Sequence, residues 1–190
     1  MSGIAVHGYA IVSADDAIAD AQGRMPAGLM NDADWAYFQA ELDRADLVLL
    51  GRASHAATPN ARGRRRVVVS SSARALETRA DALWWNPADL GWDALCAALL
   101  PDGGRIGVPG GQGVFDLCLP VFTAFHLSRA PDVRLPGGRG LFSEVERGTP
   151  AETLLEREGL RGGPTQFIDP QAGVTLRIFS RPESATLPPR

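Results

Sequence analysis

Apolar residues fall along this chain in short, dense runs rather than long stripes. Residues 47–50 (LVLL) and 67–69 (VVV) are wholly apolar, too short for a buried helix, and bounded by polar residues or glycine. Such runs mark strands buried on both faces of a sheet. The connection between them is long enough for a right-handed crossover, so the two strands can lie parallel with their carboxyl ends on one edge. Residues 4–13 read as a first, central strand. Residues 105–108 read as another, followed by Pro109-Gly110-Gly111-Gln112-Gly113 and an apolar helical run over 114–119. Asn31 or Asp32 caps a helix that runs to about Arg44. In it Trp35, Phe38 and Leu42 take the spacing of a core stripe. Further on, the pattern predicts a strand over 81–86, an amphipathic helix over 89–100, a strand over 121–128 and a short helix over 150–158. Residues 165–169 and 174–180, joined by a turn at 170–173, form an antiparallel hairpin. This order describes an α/β protein with a mostly parallel central sheet flanked by helices and a C-terminal antiparallel hairpin.

Composition narrows the picture. The chain has 190 residues, 45% of them apolar, which suits one globular domain over residues 1–183. The proline-containing residues 184–190 read as a flexible tail. No run reaches the length of a membrane helix, and the N-terminus lacks a charged segment and apolar signal core. With only Cys96 and Cys118, the cytoplasm is the expected compartment. All nineteen basic residues are arginine, which excludes Schiff-base lysine chemistry. A net charge of −3 leaves no basic footprint for nucleic acid. The one basic cluster, Arg62, Arg64, Arg65 and Arg66, reads as alternation along a strand, with at least two members in solvent. His7, His55 and His126 have no metal-ligand spacing, so no metal is expected. The cysteines form no CxxC, and there is no GxSxG.

Candidate chemistry gathers at the strand ends. The first apolar run ends in Gly51-Arg52 and a helix-permissive ASHAA; the second ends in Ser70, Ser71 and Ser72. A glycine, a helix N-terminus, a guanidinium and hydroxyls suit a phosphate. The Gly-rich turn at residues 109–113 opens a second helix, although neither GxGxxG nor a Walker lysine is present. Each turn alone is ordinary turn chemistry. Two on one sheet edge point to a nucleotide. Asp34, in the first turn of its helix and one turn before Phe38, carries two readings. It is an acid that stabilises the helix dipole, or a carboxylate at the rim of an apolar pocket with a raised pKa and Phe38 as a flat wall. The glycine-containing residues 21–30 either cover a ligand or merely connect.

Taken in order, these residues resemble the dihydrofolate reductase superfamily. The matching features are Met25-Pro26, then Asp34 with Phe38, VLLGR ending at Arg52, and Gly63-Arg64 leading to VVVSS. GVPGGQGVF ending at Phe115, HLS ending at Ser128 and the terminal hairpin follow. The resemblance implies that NADPH lies across the strand ends. It implies Arg52, Ser70 and Ser71 at the adenosine 2′-phosphate and Ser54 at the pyrophosphate. It also implies a cofactor-binding surface of Ala10, Ala19, Gly51, Gly110, Gly111, Gln112, Gly113 and Val114, with a cis peptide between Gly110 and Gly111. Asp34 resembles the pterin-binding catalytic acid, backed by Ser128 in place of a threonine. Phe38 resembles the aromatic beside the pterin, and Arg64 the anchor for a substrate carboxylate. Ala27 stands where a tryptophan follows Met-Pro in the family, Ala19 replaces a glycine near the nicotinamide, and His55 replaces an aromatic. The segment SADDAIAD is also similar to the start of the riboflavin-pathway reductase domain.

The resemblance implies an NADPH-dependent reductase of a 7,8-dihydropterin, dihydrofolate or an analogue such as dihydromethanopterin. The expected partner is that small molecule, with no nucleic acid and no membrane, and a monomer or homodimer is expected. Two alternatives stay open: a riboflavin-pathway reductase of a ribosyl-aminopyrimidine phosphate, and a non-catalytic NADPH-binding relative.

Overall fold

A computed structural model describes residues 3–182. The tail expected over 184–190 lies outside the described residues. In chain order the elements are β1 (Ile4–Ser13), β2 (Ala17–Ala19), α1 (Asp32–Asp43), β3 (Leu47–Gly51), α2 (Arg52–Ala57) and β4 (Arg66–Val69). The next are β5 (Leu76–Thr78), β6 (Leu83–Trp85), α3 (Trp92–Leu99), β7 (Gly104–Gly110) and α4 (Gln112–Cys118). The last are β8 (Ala124–Ala130), β9 (Arg139–Gly140), α5 (Ala151–Arg157), β10 (Arg161–Asp169) and β11 (Val174–Ser180).

A nine-stranded sheet in the order β10-β11-β8-β1-β7-β3-β4-β6-β5 forms the centre. Strands β8, β1, β7, β3, β4 and β6 run parallel, while β11 joins β8 antiparallel and pairs with β10 as the C-terminal hairpin. The two apolar runs behave as their composition requires. Leu47, Leu49 and Val67 enter one core with residues of α3, α4 and α5; Val48, Leu50 and Val68 enter another with Leu42 and Phe38 of α1. Each of these strand side chains is at most 3% exposed, so each contributes about 1.5–3 kcal/mol of burial. The sheet is therefore a rigid plate, and its strand ends are fixed relative to one another.

Several boundaries differ from the sequence reading. The helix expected over 89–100 begins only at Trp92. Asp89 instead accepts hydrogen bonds from Asn86 Nδ2 and the Ala75 amide, which ties its carboxylate into the preceding turn. The strand expected from residue 121 begins at Ala124, because Pro120 lies in a 3-10 turn over Leu119–Val121. Trp35 does not join the core stripe of α1. It is 56% exposed, with Phe38 partly buried and Leu42 at 3%. Strand β5 and the small β2–β9 sheet add to the expected set. No described helix is long and apolar enough to cross a membrane.

Candidate active site

Parallel register brings the strand ends together. Gly51 pairs with Val69 across β3 and β4, Val69 with Trp85 across β4 and β6, and Leu50 with Gly110 across β3 and β7. The Gly51-Arg52 turn, Ser70 to Ser72 and the Gly110-Gly111 turn thus share one edge, where open α/β sheets bind ligands. Helices α2 and α4 start there side by side. An added Cβ on Gly51 would meet Val114 Cγ2 at 3.4 Å and the Gly111 amide nitrogen at 3.9 Å. The peptide between Gly110 and Gly111 is cis. Gly110 has φ +100°, and a Cβ on it would lie 2.6 Å from the buried Phe115 ring, so only glycine fits. At Gly111 a Cβ would meet nothing nearer than Ser54 Oγ at 4.0 Å, and at Gly113 nothing within 4 Å. The cradle between the two helix starts is open, and its free amides and hydroxyl fit a pyrophosphate. Arg52 and Ser71 are exposed on the same edge. The Ser70 hydroxyl is partly spent, 2.9 Å from Ser72 Oγ and accepting from the Ser72 amide at 3.2 Å.

Beside this edge lies a cavity of about 290 Å³, framed by β1, β8, α1 and the starts of α2 and α4. Asn31 caps α1 by accepting from the Asp34 amide at 3.0 Å, and its Nδ2 donates to Asp169 of the hairpin at 2.8 Å. That double hold fixes the first turn and sets the Asp34 carboxylate, with Phe38, into the cavity wall. Burial pushes the Asp34 pKa up from the ordinary carboxyl value, and the Ser128 hydroxyl beside it pulls the other way. Asp34 keeps its place in the first helical turn, and it is also a cavity-lining acid.

The cavity floor is polar and was not legible as a motif. Tyr37 and His126 Nδ1 lie 2.5 Å apart, and His126 Nε2 is 3.3 Å from His7 Nδ1. Burial, with His7 and Arg105 nearby, lowers the His126 pKa to about 3, so the ring is neutral; burial and Arg105 lower that of His7 too. Burial also pushes the Tyr37 hydroxyl up to about 12. One donor atom each from His7, His126 and Glu41 lies within 4.8 Å of the others. Linear spacing could not show this cluster, because β1, α1 and β8 each supply one member. Glu41 is already paired with Arg44 and Arg105, and that cationic flank opposes a dication. His126 had one available signal: it stands two residues before Ser128 on the same strand face.

Of the residues singled out from the sequence, Ala10, Ala19, Asp34, Phe38, Ser54, Gly111, Gln112 and Ser128 line this cavity. Gly51, Gly110, Gly113 and Val114 shape the adjoining turns, and Arg52, Ser70 and Ser71 lie along the strand edge. Arg64 is the one held apart. It lines a second cavity, and its guanidinium donates to Asp43 at 2.6 and 3.0 Å and to the Gln39 side chain at 2.7 Å. Trp35, expected in the core, instead lines both cavities.

No protein-family profile matches the sequence, and no curated protein matches it. Solved structures do match the fold. Dihydrofolate reductase from Enterococcus faecalis, complexed with NADP(H) and RAB-propyl, superposes with a TM-score of 0.67 at 14% identity, over 94% of this chain and 97% of that one. A protein from Shewanella sp. PV-4 assigned to riboflavin biosynthesis gives 0.62 at 16% identity, over 95% of this chain and 100% of that one. A diaminohydroxyphosphoribosylaminopyrimidine deaminase/5-amino-6-(5-phosphoribosylamino)uracil reductase from Thermotoga maritima gives 0.63 at 14% identity. The match covers 94% of this chain and 56% of that one, so this chain spans little more than half of it. At these identities the likeness establishes a dihydrofolate reductase-like fold and leaves the substrate to the site itself.

Proposed function

We propose that this chain is an NADPH-dependent reductase of a 7,8-dihydropterin, dihydrofolate or an analogue such as dihydromethanopterin, and forms the tetrahydro product. The observation that carries this reading is Asp34: a partly desolvated carboxylate in the wall of a cavity lined by both apolar and polar side chains, with Phe38 on its own helix and Ser128 behind it. A carboxylate so placed accepts two parallel hydrogen bonds from the amino group and adjacent ring N–H of a pterin. Its raised pKa favours proton delivery towards N5, through water.

NADPH supplies a hydride when bound, here to C6 of the C6=N5 imine. Arg52 and Ser71 would hold its 2′-phosphate, with Ser70 contributing less. Ser54 and the amides at Gly111, Gln112 and Gly113 would hold the pyrophosphate. Ala10 and Ala19 line the cavity where the ring would lie. The protein's remaining work is orientation and exclusion of water. The likeness to a dihydrofolate reductase complexed with NADP(H) supports the cofactor assignment. A ribosyl-aminopyrimidine phosphate is the second reading, and the arginines of the second cavity favour it.

NADPH oxidation measured with dihydrofolate, dihydromethanopterin and the riboflavin-pathway aminopyrimidine phosphate tests the assignment. Turnover with either dihydropterin is the expected result. Turnover with the aminopyrimidine alone transfers the assignment to the second reading. Tight NADPH binding with no oxidation by any of the three would identify a non-catalytic binder.

A further inference from the structure

Two histidines and a tyrosine form a hydrogen-bonded chain that the reductase reading leaves unused. The Tyr37 hydroxyl lies 2.5 Å from His126 Nδ1, and His126 Nε2 lies 3.3 Å from His7 Nδ1. His126 is 7% exposed on β8, while His7 on β1 and Tyr37 on α1 are half-buried. The two ends of the chain have different surroundings. Tyr37 and His126 line the cavity that holds Asp34, whereas His7 lies outside that lining and keeps partial exposure. Burial above all keeps both imidazoles neutral at neutral pH.

A neutral imidazole carries one N–H and one bare nitrogen. With both rings neutral, each contact in the chain holds one hydrogen, so all the hydrogens point towards Tyr37 or all point away. A concerted shift then moves one proton between His7 and Tyr37 without charging either ring. The groups around the chain restrict it to that route. Glu41 of α1 stands by both histidines and is ion-paired with Arg44 and Arg105. The Tyr9 ring of β1 packs against both histidines, and its hydroxyl is buried without a partner. Burial above all, with the charges of Glu41 and Asp34, pushes the Tyr37 pKa up to about 12. A free tyrosinate therefore does not accumulate, and Tyr37 gives up its proton only as it takes another. Asp34 lies one helical turn before Tyr37, on nearly the same side of α1.

We propose that His7, His126 and Tyr37 form a proton relay that reloads the Asp34 carboxylate, through water in the cavity, while cofactor and substrate close the direct route from bulk solvent. The relay rests on the reductase reading, in which each turnover consumes one proton at N5. Asp34 passes its proton towards N5 and is left a carboxylate. It takes another from the Tyr37 O–H. Tyr37 takes one from His126 Nδ1–H, His126 takes one from His7 Nδ1–H, and solvent protonates the outer nitrogen of His7. One proton enters and one leaves, and the only reductant is the NADPH hydride. Tyr37 and His126 line the cavity, so water resets their hydrogens once product leaves. All three are positioning residues, because they act through Asp34.

The experiment follows NADPH oxidation by dihydrofolate or dihydromethanopterin from acid to neutral pH. Tyr37→Phe keeps the ring and removes the hydroxyl. At neutral pH its kcat should fall at least about tenfold, with KM unchanged. The deficit should close in acid, where substrate arrives already protonated. His7→Ala opens the outer end of the chain. Its kcat should fall by a smaller factor, and added imidazole should restore it in proportion to concentration by taking the vacated place. This half-buried change keeps the test sound if Tyr37→Phe does not fold. A network that only holds α1 to the sheet predicts instead a loss equal at every pH and no response to imidazole. Wild-type kcat in Tyr37→Phe at neutral pH, or a loss that neither acid nor imidazole repairs, would overturn the relay and leave the reductase reading standing. No turnover of either dihydropterin by the wild type would overturn that reading and the relay with it.

Discussion

Asp34 is where helix formation and chemistry make opposite demands on one carboxyl group. An acid in the first turn of α1 gains from the helix dipole, while its place in the cavity wall costs it solvent and raises its pKa. Since the folded chain holds this proton more tightly than the unfolded chain, stability falls as pH rises from the unfolded value of 3.8 through the folded one. Above both values the cost is carried in full. Asp34→Asn should therefore melt at the same or a higher temperature at neutral pH, and the difference should vanish well below pH 3.8. Turnover should move the other way. It should collapse at neutral pH and recover as acid supplies substrate already protonated. A variant with wild-type turnover at neutral pH would reduce Asp34 to a helix-terminal acid.

Among the elements, legibility followed periodicity. The apolar runs of β3 and β4, the alternation of the terminal hairpin and the glycines after β7 were all readable, because each is a local pattern with one structural solution. The β2–β9 ladder was not, since Ala17 and Gly140 meet only after the chain has crossed the sheet. Trp35 misled for a related reason. It has core spacing on α1, but its side of the helix overlooks the two cavities rather than packed side chains. The cluster of His7, Tyr37 and His126, of which Tyr37 and His126 line the cavity, was hidden because three distant segments build it. The β7–α4 turn offers a test at this scale. Gly110→Ala places a Cβ against the Phe115 ring, which is 1% exposed and has nowhere to go. Overpacking costs about 1–3 kcal/mol and the left-handed backbone roughly 1–2 more, so urea denaturation should show a loss of at least about 2 kcal/mol. Gly113→Ala meets open space inside α4 and should leave stability level or slightly raised. It should nonetheless weaken NADPH, because the Gly113 amide is one of those proposed to hold the pyrophosphate and a methyl group would crowd it. Equal destabilisation by both substitutions would contradict this division between packing and binding.

For the whole molecule, the sheet matters as a spacer. Gly51, Ser71 and Gly111 are far apart in sequence, and only the parallel ladder of β7, β3, β4 and β6 sets their ends on one edge. A ligand gripping all three turns binds the folded chain alone, so it must raise melting temperature by mass action. Among the described residues no carboxylate pairs with the exposed Arg52, which leaves its guanidinium available to a 2′-phosphate. NADPH carries that phosphate and NADH lacks it. NADPH should therefore stabilise the wild type more than NADH at equal concentration. Arg52→Ala should reduce the NADPH increment by about 1.5–3 kcal/mol of binding, close to one or two decades in affinity, and leave the NADH increment nearly unchanged. Because Ser70 is already engaged by Ser72, Ser71→Ala should cost NADPH more than Ser70→Ala does. If Arg52→Ala weakens both cofactors alike, the arginine serves the pyrophosphate or the fold instead. If NADH stabilises the wild type more than NADPH, this edge does not read the 2′-phosphate.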